Sequence, residues 1–198
     1  MTSLAAPHRQ RPERSAAPRP GLATRLVAIV LPLAIAGCTG VPVERYRAEA
    51  PALDLRSYFN GTVDGWGVFQ KRSGEVVKRF HVVIDAKWQG DTGVLDEHFE
   101  WSDGSSSRRV WTLTRQPDGT YRGRADDVIG EATGELAGNA LRWRYVLALP
   151  VDGRTYHVDF DDWMFLMDGQ VMMNRSYMSK WGFRLGEVTL TFVRRPGS

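Results

Sequence analysis

Residues 141–153 read LRWRYVLALPVDG, and they indicate the fold most clearly. Apolar side chains occupy every second position from Leu141 to Leu149, and Arg142 and Arg144 stand between the first of them. Such alternation is typical of a strand with one buried face and one solvated face. The Asp-Gly pair at 152–153 is a turn signal, because glycine accepts the positive φ that hairpin turns require. The stretch therefore predicts an antiparallel strand that ends in a tight turn.

The same pattern recurs along the chain from Gly61 onward. Further turn signals stand at residues 72–74, 103–105, 117–119, 137–139 and 167–169. Between them, apolar residues again alternate with polar ones, as in the stretch from Phe80 to Trp88. We predict nine or ten consecutive antiparallel strands between Gly61 and Arg195. Residues 53–59 are predicted to form one short helical turn capped by Asp54.

These strands are predicted to close into an all-β, up-and-down barrel. A meander of this length would otherwise expose two edge strands, which invite association with other chains. The outward faces carry many charges, whereas a membrane barrel needs an apolar exterior. A two-sheet sandwich is the alternative, because the alternation fits both architectures.

An uncharged apolar run, Leu26 to Ala36, follows an arginine-rich start and precedes Gly37-Cys38. The run is too short to span a bilayer, and the order of basic, apolar and small residues is that of a secretory signal. The segment resembles a bacterial lipoprotein signal peptide. The resemblance implies cleavage before Cys38, acylation of its thiol and a lipid anchor in the cell envelope. Thr39 in place of aspartate implies the periplasmic face of the outer membrane. A buried structural cysteine is the alternative for Cys38.

The expected organisation is a signal peptide at 1–37, a lipidated N-terminus and tether at 38–52, and one barrel domain at 53–198. The first 37 residues hold five arginines and one acidic residue, so the rest has 21 basic and 22 acidic residues. This balance does not favour nucleic acid as a partner. With Cys38 acylated, the remaining chain has no thiol for a disulfide or a cysteine metal site. We expect a monomer without cofactor or metal.

Two resemblances extend this interpretation. The segment NGTVDGWG, residues 60–67, resembles the opening of calycin barrels such as the lipocalins, in which a tryptophan packs under a late arginine. This implies that Trp66 closes one barrel end together with Arg194 or Arg195. With LRSYFNG at 55–61 and DDWM at 161–164, the chain is also similar to a family of small proteobacterial lipoproteins of unknown function. That resemblance implies a compartment and a barrel fold, and no activity.

Asp162 is the most informative candidate inside the barrel. The inward alternation through Val158 and Phe160 places its carboxylate among apolar side chains, where an unpaired charge costs several kcal/mol. A two-residue loop at Asp168-Gly169 would put Arg175 directly opposite. This pair either fixes the strand register, or Arg175 binds an anionic head group. In the second case Arg175 and Tyr177 resemble the Arg-x-Tyr pair of small fatty-acid-binding barrels.

The leading hypothesis is a lipid-anchored barrel that binds an apolar or amphipathic small molecule, such as a fatty acyl or phospholipid derivative. Trp143, Tyr145, Met164 and Met173 are predicted to line its interior beside the polar candidates, since aromatic and methionine side chains suit an adaptable apolar cavity. An interior completely filled by side chains would contradict this hypothesis.

Two alternatives come from other classes of protein. A structural or assembly lipoprotein would dock an envelope protein on an outward apolar patch, for which Trp163, Phe165 and Met167 are candidates. A lipid-modifying enzyme would use Asp162, His157 or His98.

The enzyme alternative has little support in the sequence. The nucleophile elbow, the phosphate-binding loop and the His-Glu-x-x-His motif are absent, so we assign no catalytic residue. The acidic neighbours of the two histidines, Asp159 and Asp161 beside His157 and Asp96 and Glu100 beside His98, fit either a solvated face or a cation site.

Overall fold

The computed structural model describes residues 40–151 and 153–197, of which the part from Val41 belongs to one compact unit, Val41–Ser198. Ten strands follow one another in the described part: β1 (Gly61–Lys71), β2 (Val76–Gln89), β3 (Thr92–Trp101), β4 (Ser106–Arg115), β5 (Tyr121–Arg124), β6 (Val128–Ala137), β7 (Ala140–Val151), β8 (Arg154–Leu166), β9 (Val171–Lys180) and β10 (Phe183–Arg194). Each strand pairs antiparallel with the next, and β1 pairs with β10. The predicted up-and-down barrel is confirmed, and the sandwich is excluded. Cys38 and the predicted signal peptide lie outside the described residues.

The barrel interior is built from the alternating positions that the sequence indicated. On β2, Val82 and Ile84 are almost fully buried, and on β7 Leu141 and Trp143 are buried. Glycines on neighbouring strands make room for the largest rings. A Cβ atom at Gly67 would overlap the Phe80 ring, so β1 can pass beneath that ring only because position 67 has no side chain. The closed sheet has its own core and leaves no edge for another segment to complete, so we expect the unit from Val41 to fold on its own.

One end of the barrel is closed by the helical turn α1 (Leu55–Tyr58). The Asp54 side chain accepts hydrogen bonds from the backbone N–H groups of Arg56 and Ser57 at 2.8 and 3.1 Å, as predicted for its cap. Leu55, Tyr58 and the next residue, Phe59, are buried against the core. The Tyr58 hydroxyl donates to a backbone carbonyl of the β8–β9 loop at 2.9 Å, which ties α1 to the barrel end.

Trp66 does not take part in closing the barrel. Gly65 and Gly67 face the interior, so the tryptophan between them points outward, where it is 52% exposed and stacks on His81 with a centroid distance of 5.2 Å. Arg194 contacts the Asn60 carbonyl at 3.3 Å instead of covering an indole ring. The closure implied by the calycin resemblance is therefore wrong for Trp66 and Arg194, and α1 performs it.

The described part of the predicted tether, residues 41–52, lies against the barrel wall. Residues 41–52, called the docked segment below, contain a 3₁₀ turn, Val43–Tyr46, and Val43 is buried with Ala137 and Ala140. The Tyr46 ring packs edge-on against Trp163 and Phe165, with centroids 5.9 and 5.1 Å apart. Two of the three residues of the predicted outward patch are thus covered by this chain itself.

Candidate ligand-binding site

A cavity of about 220 Å³ occupies the barrel interior between α1 and the opposite end. Its walls are mainly aromatic and aliphatic. The apolar lining residues are Leu55, Phe59, Phe69, Phe80, Val82, Ile84, Leu95, Phe99, Trp101, Trp111, Leu113, Leu141, Trp143, Leu147, Phe160, Met164, Val188, Leu190 and Phe192. The interior is therefore not filled by side chains, which was the condition under which the binding hypothesis would have failed.

Several polar side chains share this apolar lining, and we call them the interior polar cluster. Its members are Glu97, Arg109, Asp127, Tyr145, Asp162, Asn174 and Ser176. The strand pairing brings them together: Glu97 lies opposite Arg109 across β3 and β4, and Asp162 lies opposite Ser176 across β8 and β9. Small-molecule sites typically combine an apolar lining with a few such fixed polar groups.

Arg109 is held by carboxylates from two directions. Its Nε and Nη2 atoms donate to Asp127 at 2.7–3.0 Å, and its Nη1 lies 3.9 Å from the Glu97 carboxylate. Burial lowers the pKa of Arg109, but these carboxylates outweigh it and hold the pKa above its ordinary value. Arg109 therefore remains a cation whose charge is already neutralised.

Asp162 is buried and accepts a hydrogen bond from the Ser176 hydroxyl. Burial raises the pKa of Asp162 to about 7, although the hydrogen bonds from Ser176 and Tyr145 favour the carboxylate and oppose the shift. The pKa of the Tyr145 hydroxyl is also raised well above its usual value, because the group is buried beside this carboxylate. Asp162 thus exchanges a proton near neutral pH inside an apolar cavity.

Glu97 behaves in the same way on the opposite wall. Burial raises the pKa of Glu97 to about 7, and Arg109 offsets only part of the effect, while Asp127 and Asp162 repel the charged form. Two carboxyl groups of the cavity are therefore partly protonated at neutral pH, and each can then donate a hydrogen bond as well as accept one.

Asn174 adds an unused donor. Its side chain is buried on β9 and lines the cavity, and its Nδ2 atom has no hydrogen-bond partner among the described residues. A buried amide without a partner costs roughly 1–3 kcal/mol. A ligand or water in the cavity that offers an acceptor would remove this cost.

Arg175, Tyr177 and Met173 lie on the outside of the barrel, contrary to the prediction. The β8–β9 hairpin has a longer loop than the two residues assumed: Leu166 pairs with Met172, and the Met167 N–H donates to the Val171 carbonyl. Asp162 therefore faces Ser176 instead of Arg175, because a shift of one residue moves every side chain to the other face.

The outward positions have their own partners. Arg175 donates to Glu187 at 2.9 and 3.2 Å and lies over the Tyr177 ring at 5.1 Å. Met173 is 45% exposed. The premise that these three residues meet a ligand inside the barrel is therefore wrong, whereas Trp143, Tyr145, Asp162 and Met164 do line the cavity.

Sequence reasoning missed most of the interior polar cluster. Glu97 and Arg109 stand on inward positions of β3 and β4, two residues from Leu95 and Trp111 respectively. Each charged residue continues the alternation of the inward apolar side chains on its strand, and this pattern could have predicted its place inside the barrel. Asn174 and Ser176 could be found only with the correct hairpin register.

The histidine candidates do not join the cavity. His98 is exposed on the outer surface, 3.2 Å from Asp96, and His157 borders a separate shallow surface depression with Asp159. Neither is near Asp162, so the three residues of the enzyme alternative are not brought together. No group of three or more potential metal ligands occurs among the residues that the structure describes. No helix in the same part is long and apolar enough to cross a membrane.

Comparison with known proteins identifies a family and a fold. The family model described as "Protein of unknown function (DUF3833)" matches residues 32–194. An S-type phycobiliprotein lyase from Guillardia theta is similar in structure, with a TM-score of 0.55, 7% sequence identity and coverage of 80% of this chain and 100% of the lyase chain. A designed fluorescence-activating β-barrel is more distant, with a TM-score of 0.41, 13% identity and coverage of 72% and 99%. The comparison with curated proteins found no match.

Proposed function

Because this chain belongs to the DUF3833 family, whose description names no activity, we propose a function from the barrel interior: the protein binds a small amphipathic molecule there. The observation that carries the proposal is the open cavity of about 220 Å³ whose apolar walls surround the interior polar cluster. A barrel that served only as a scaffold would have no need to keep titrating carboxyl groups and an unpaired amide in an unfilled core.

The size of the cavity limits the ligand. Pockets for small molecules usually enclose about 300–1,000 Å³, so this one holds a short chain or a ring system, or one chain of a larger lipid. The apolar part would lie among Phe80, Trp111 and Trp143, and the polar part would meet Asn174 and Asp162. A fatty acyl derivative fits this arrangement.

The charge of the cavity favours a particular head group. Both guanidinium groups of its lining are engaged, Arg109 by Asp127 and Arg108 by Asp96 at 2.7 Å. A free carboxylate would therefore meet carboxyl groups without an available cation. We expect a neutral head group that can both donate to a carboxylate and accept from Asn174, such as a hydroxyl or a primary or secondary amide.

Native mass spectrometry of the unit 41–198 tests the proposal. After incubation with a membrane lipid extract, the repurified protein should carry a stoichiometric adduct. In direct titrations at pH 8, a medium-chain alcohol should bind more tightly than the fatty acid of equal length. A protein that takes up neither compound and carries no adduct would contradict the proposal.

A pair of methionine variants makes the test specific to the cavity. Met164→Trp places an indole in the cavity and should abolish uptake. Met173→Trp makes the same replacement on the outer face of the next strand and should leave uptake unchanged. Circular dichroism would show whether both variants keep the barrel. Equal binding by the two variants would place the ligand elsewhere.

We further propose that the protein is lipid-anchored through Cys38 at the periplasmic face of the outer membrane. Support comes from the apolar run Leu26 to Ala36 and the small residues before the cysteine. The mass of the protein isolated from membranes should exceed that of the polypeptide 38–198 by the mass of the attached acyl groups. The Cys38→Ala variant should carry no acyl groups. A wild-type mass equal to that of the bare polypeptide would contradict the anchor.

The docking alternative keeps one supporting observation, since Met167 is exposed at the β8–β9 loop. Its other two candidate residues, Trp163 and Phe165, are packed under Tyr46. Binding of a small molecule inside the barrel therefore has the stronger structural support.

A further inference from the structure

The end of the barrel opposite α1 carries an unusual concentration of exposed apolar side chains. The hairpins β1–β2, β7–β8 and β9–β10 lie next to one another at this end, because β1, β10, β9, β8 and β7 are neighbours in the closed sheet. We call their exposed apolar residues the mouth rim: Val76, Val77, Val151, Tyr156, Trp181, Phe183 and Leu185. Exposed apolar groups in one contiguous region mark interaction surfaces.

Contacts between the hairpins make the rim continuous. The Arg72 N–H donates to the Leu185 carbonyl at 3.1 Å, which joins β1–β2 to β9–β10. The Lys180 ammonium lies 5.0 Å from both the Tyr156 and the Trp181 ring centroids, which joins β9–β10 to β7–β8. The cavity extends to this end, since Phe69 and Trp101 near the hairpins are among its lining residues.

Trp181 is the most exposed large apolar residue of the rim. Its side chain is 84% exposed, and Phe183 beside it is 69% exposed. Trp181 and Gly182 are the two central residues of the hairpin, and both have positive φ, 51° and 80°. This turn type favours asparagine and glycine, and a bulky residue in this conformation is rare. The fold therefore presents an indole at a hairpin tip where it gains little packing within the protein.

The rim is also basic. Lys71, Arg72, Arg154, Lys180 and Arg184 belong to the same three hairpins. Lys71 pairs with Glu75 and Arg184 with Glu187, and the sequence places Asp152 in the β7–β8 turn. Arg72 and Arg154 make no ion pair with a described residue, and Lys180 contacts rings instead of a carboxylate. Tryptophan and other apolar side chains surrounded by lysine and arginine suit the interface of an anionic bilayer, where the rings enter the head-group region and the cations meet lipid phosphates.

We propose that the mouth rim docks on an anionic membrane surface, so that the cavity end faces the lipid from which a ligand would enter. The occupant is a bilayer with anionic lipids, chosen because the apolar tip and its surrounding cations complement that surface together. The proposal extends the ligand binding proposed above, and its test does not depend on that binding.

The test is co-sedimentation of the unit 41–198, which lacks Cys38, with vesicles. The wild type should bind vesicles of mixed phosphatidylcholine and phosphatidylglycerol, and more weakly at high salt, because salt screens the cationic contribution. It should bind phosphatidylcholine alone much less. The double variant Trp181→Asn, Phe183→Thr should lose vesicle affinity by about tenfold or more.

The controls distinguish vesicle binding through the mouth rim from nonspecific adsorption and from the effects of misfolding. Trp181→Asn creates the Asn-Gly sequence that this turn favours, so the hairpin should remain intact. Trp66→Thr removes an exposed tryptophan from the side wall and should bind vesicles like the wild type. Arg72→Gln with Arg154→Gln should reduce the preference for anionic over neutral vesicles.

Several results would overturn the proposal. These are failure of the wild type to bind either vesicle, equal binding by the rim double variant, and an equal loss in Trp66→Thr. A wild type that ignores vesicles but associates with a protein through Trp181 would likewise refute it. Uptake of an acyl probe is measured in a separate assay without vesicles. A protein that binds vesicles but takes up no probe would contradict the proposed ligand binding and leave the membrane docking supported.

Discussion

Asp162 and Glu97 combine burial with the ability to ionise, and this combination distinguishes the cavity from an ordinary core. Their pKa values near 7 lie well above those of carboxyl groups in water, because the barrel interior disfavours the charged form. Hydrogen bonds from Ser176 and Tyr145 stabilise the Asp162 carboxylate, and the charge of Arg109 stabilises that of Glu97. These interactions offset only part of the cost of burying the two charges. The charge of the cavity is therefore set by pH in the neutral range.

The stability of the barrel should fall as pH rises from about 4 to 7. In this window the folded protein binds more protons than the unfolded chain, since both pKa values are raised on folding. Each carboxyl should contribute a slope of up to about 1.4 kcal/mol per pH unit, levelling off once pH passes the folded pKa. Asp162→Asn and Glu97→Gln should each reduce the slope, as measured by urea unfolding between pH 4.5 and 8. Unchanged slopes in both variants would show that these groups titrate normally.

Two short elements outside the sheet complete the barrel. The turn α1 closes one end, and the docked segment covers an aromatic patch on the wall. Each element depends on a single residue. The Asp54 side chain caps α1. Gly138 gives the docked segment room, because a Cβ there would collide with the carbonyl oxygens of Tyr46 and Glu49.

Loss of the cap should weaken the closed end. Asp54→Ala leaves the N–H groups of Arg56 and Ser57 without their acceptor and should lower the free energy of unfolding by about 1 kcal/mol. Asp54→Ser restores an acceptor and should recover most of the loss. Urea unfolding measures both variants, and equal destabilisation by alanine and serine would contradict a capping role.

Gly138→Ala should release the docked segment. The added methyl group collides with backbone atoms of the segment, which cannot move away while it stays docked. Trypsin should then cleave after Arg45 and Arg47 faster than in the wild type by roughly tenfold or more. Gly104→Ala is the matched control, because Gly104 also has a positive φ but no neighbour near its Cβ position. Equal cleavage of the two variants would mean that backbone strain alone causes the effect.

At the scale of the whole molecule, closure of the sheet is the dominant feature. The pairing of β1 with β10 over nine positions leaves no free edge among the described strands, and the mouth rim and α1 distinguish the two ends. The molecule therefore has a sealed end and an end that bears exposed apolar residues.

Closure also predicts that the unit 41–198 is a monomer. Strand-edge pairing, the commonest route by which sheets associate, is not available to a closed barrel. Light scattering after size-exclusion chromatography at micromolar concentration should give the mass of one chain. A dimer of the wild type would contradict this prediction, and its persistence in the variant Trp181→Asn, Phe183→Thr would show that the mouth rim does not hold the dimer together.

Much of the barrel could be predicted because its causes are local. Alternation on β2 and β7, the Asp-Gly turns and the Asp54 cap each depend on residues close together in sequence. The position of Asp162 inside the barrel followed from the same alternation. Arg175 was misplaced because a hairpin register depends on loop length, and the loop after Leu166 is longer than its Asp-Gly pair suggests. Trp66 was misplaced because a family pattern outweighed the two inward glycines beside it.

The all-β class, the strand order and the inward face of most strands follow from the sequence, since alternation and turn chemistry act over a few residues. Which polar groups meet depends on the tertiary structure. Glu97, Arg109 and Asp127 come from β3, β4 and the loop before β6, whereas Asp162 and Ser176 come from β8 and β9. Their grouping depends on barrel closure and strand register, and the unfilled volume between them depends on how all the interior side chains pack. These are properties of distant contacts, which no local pattern encodes.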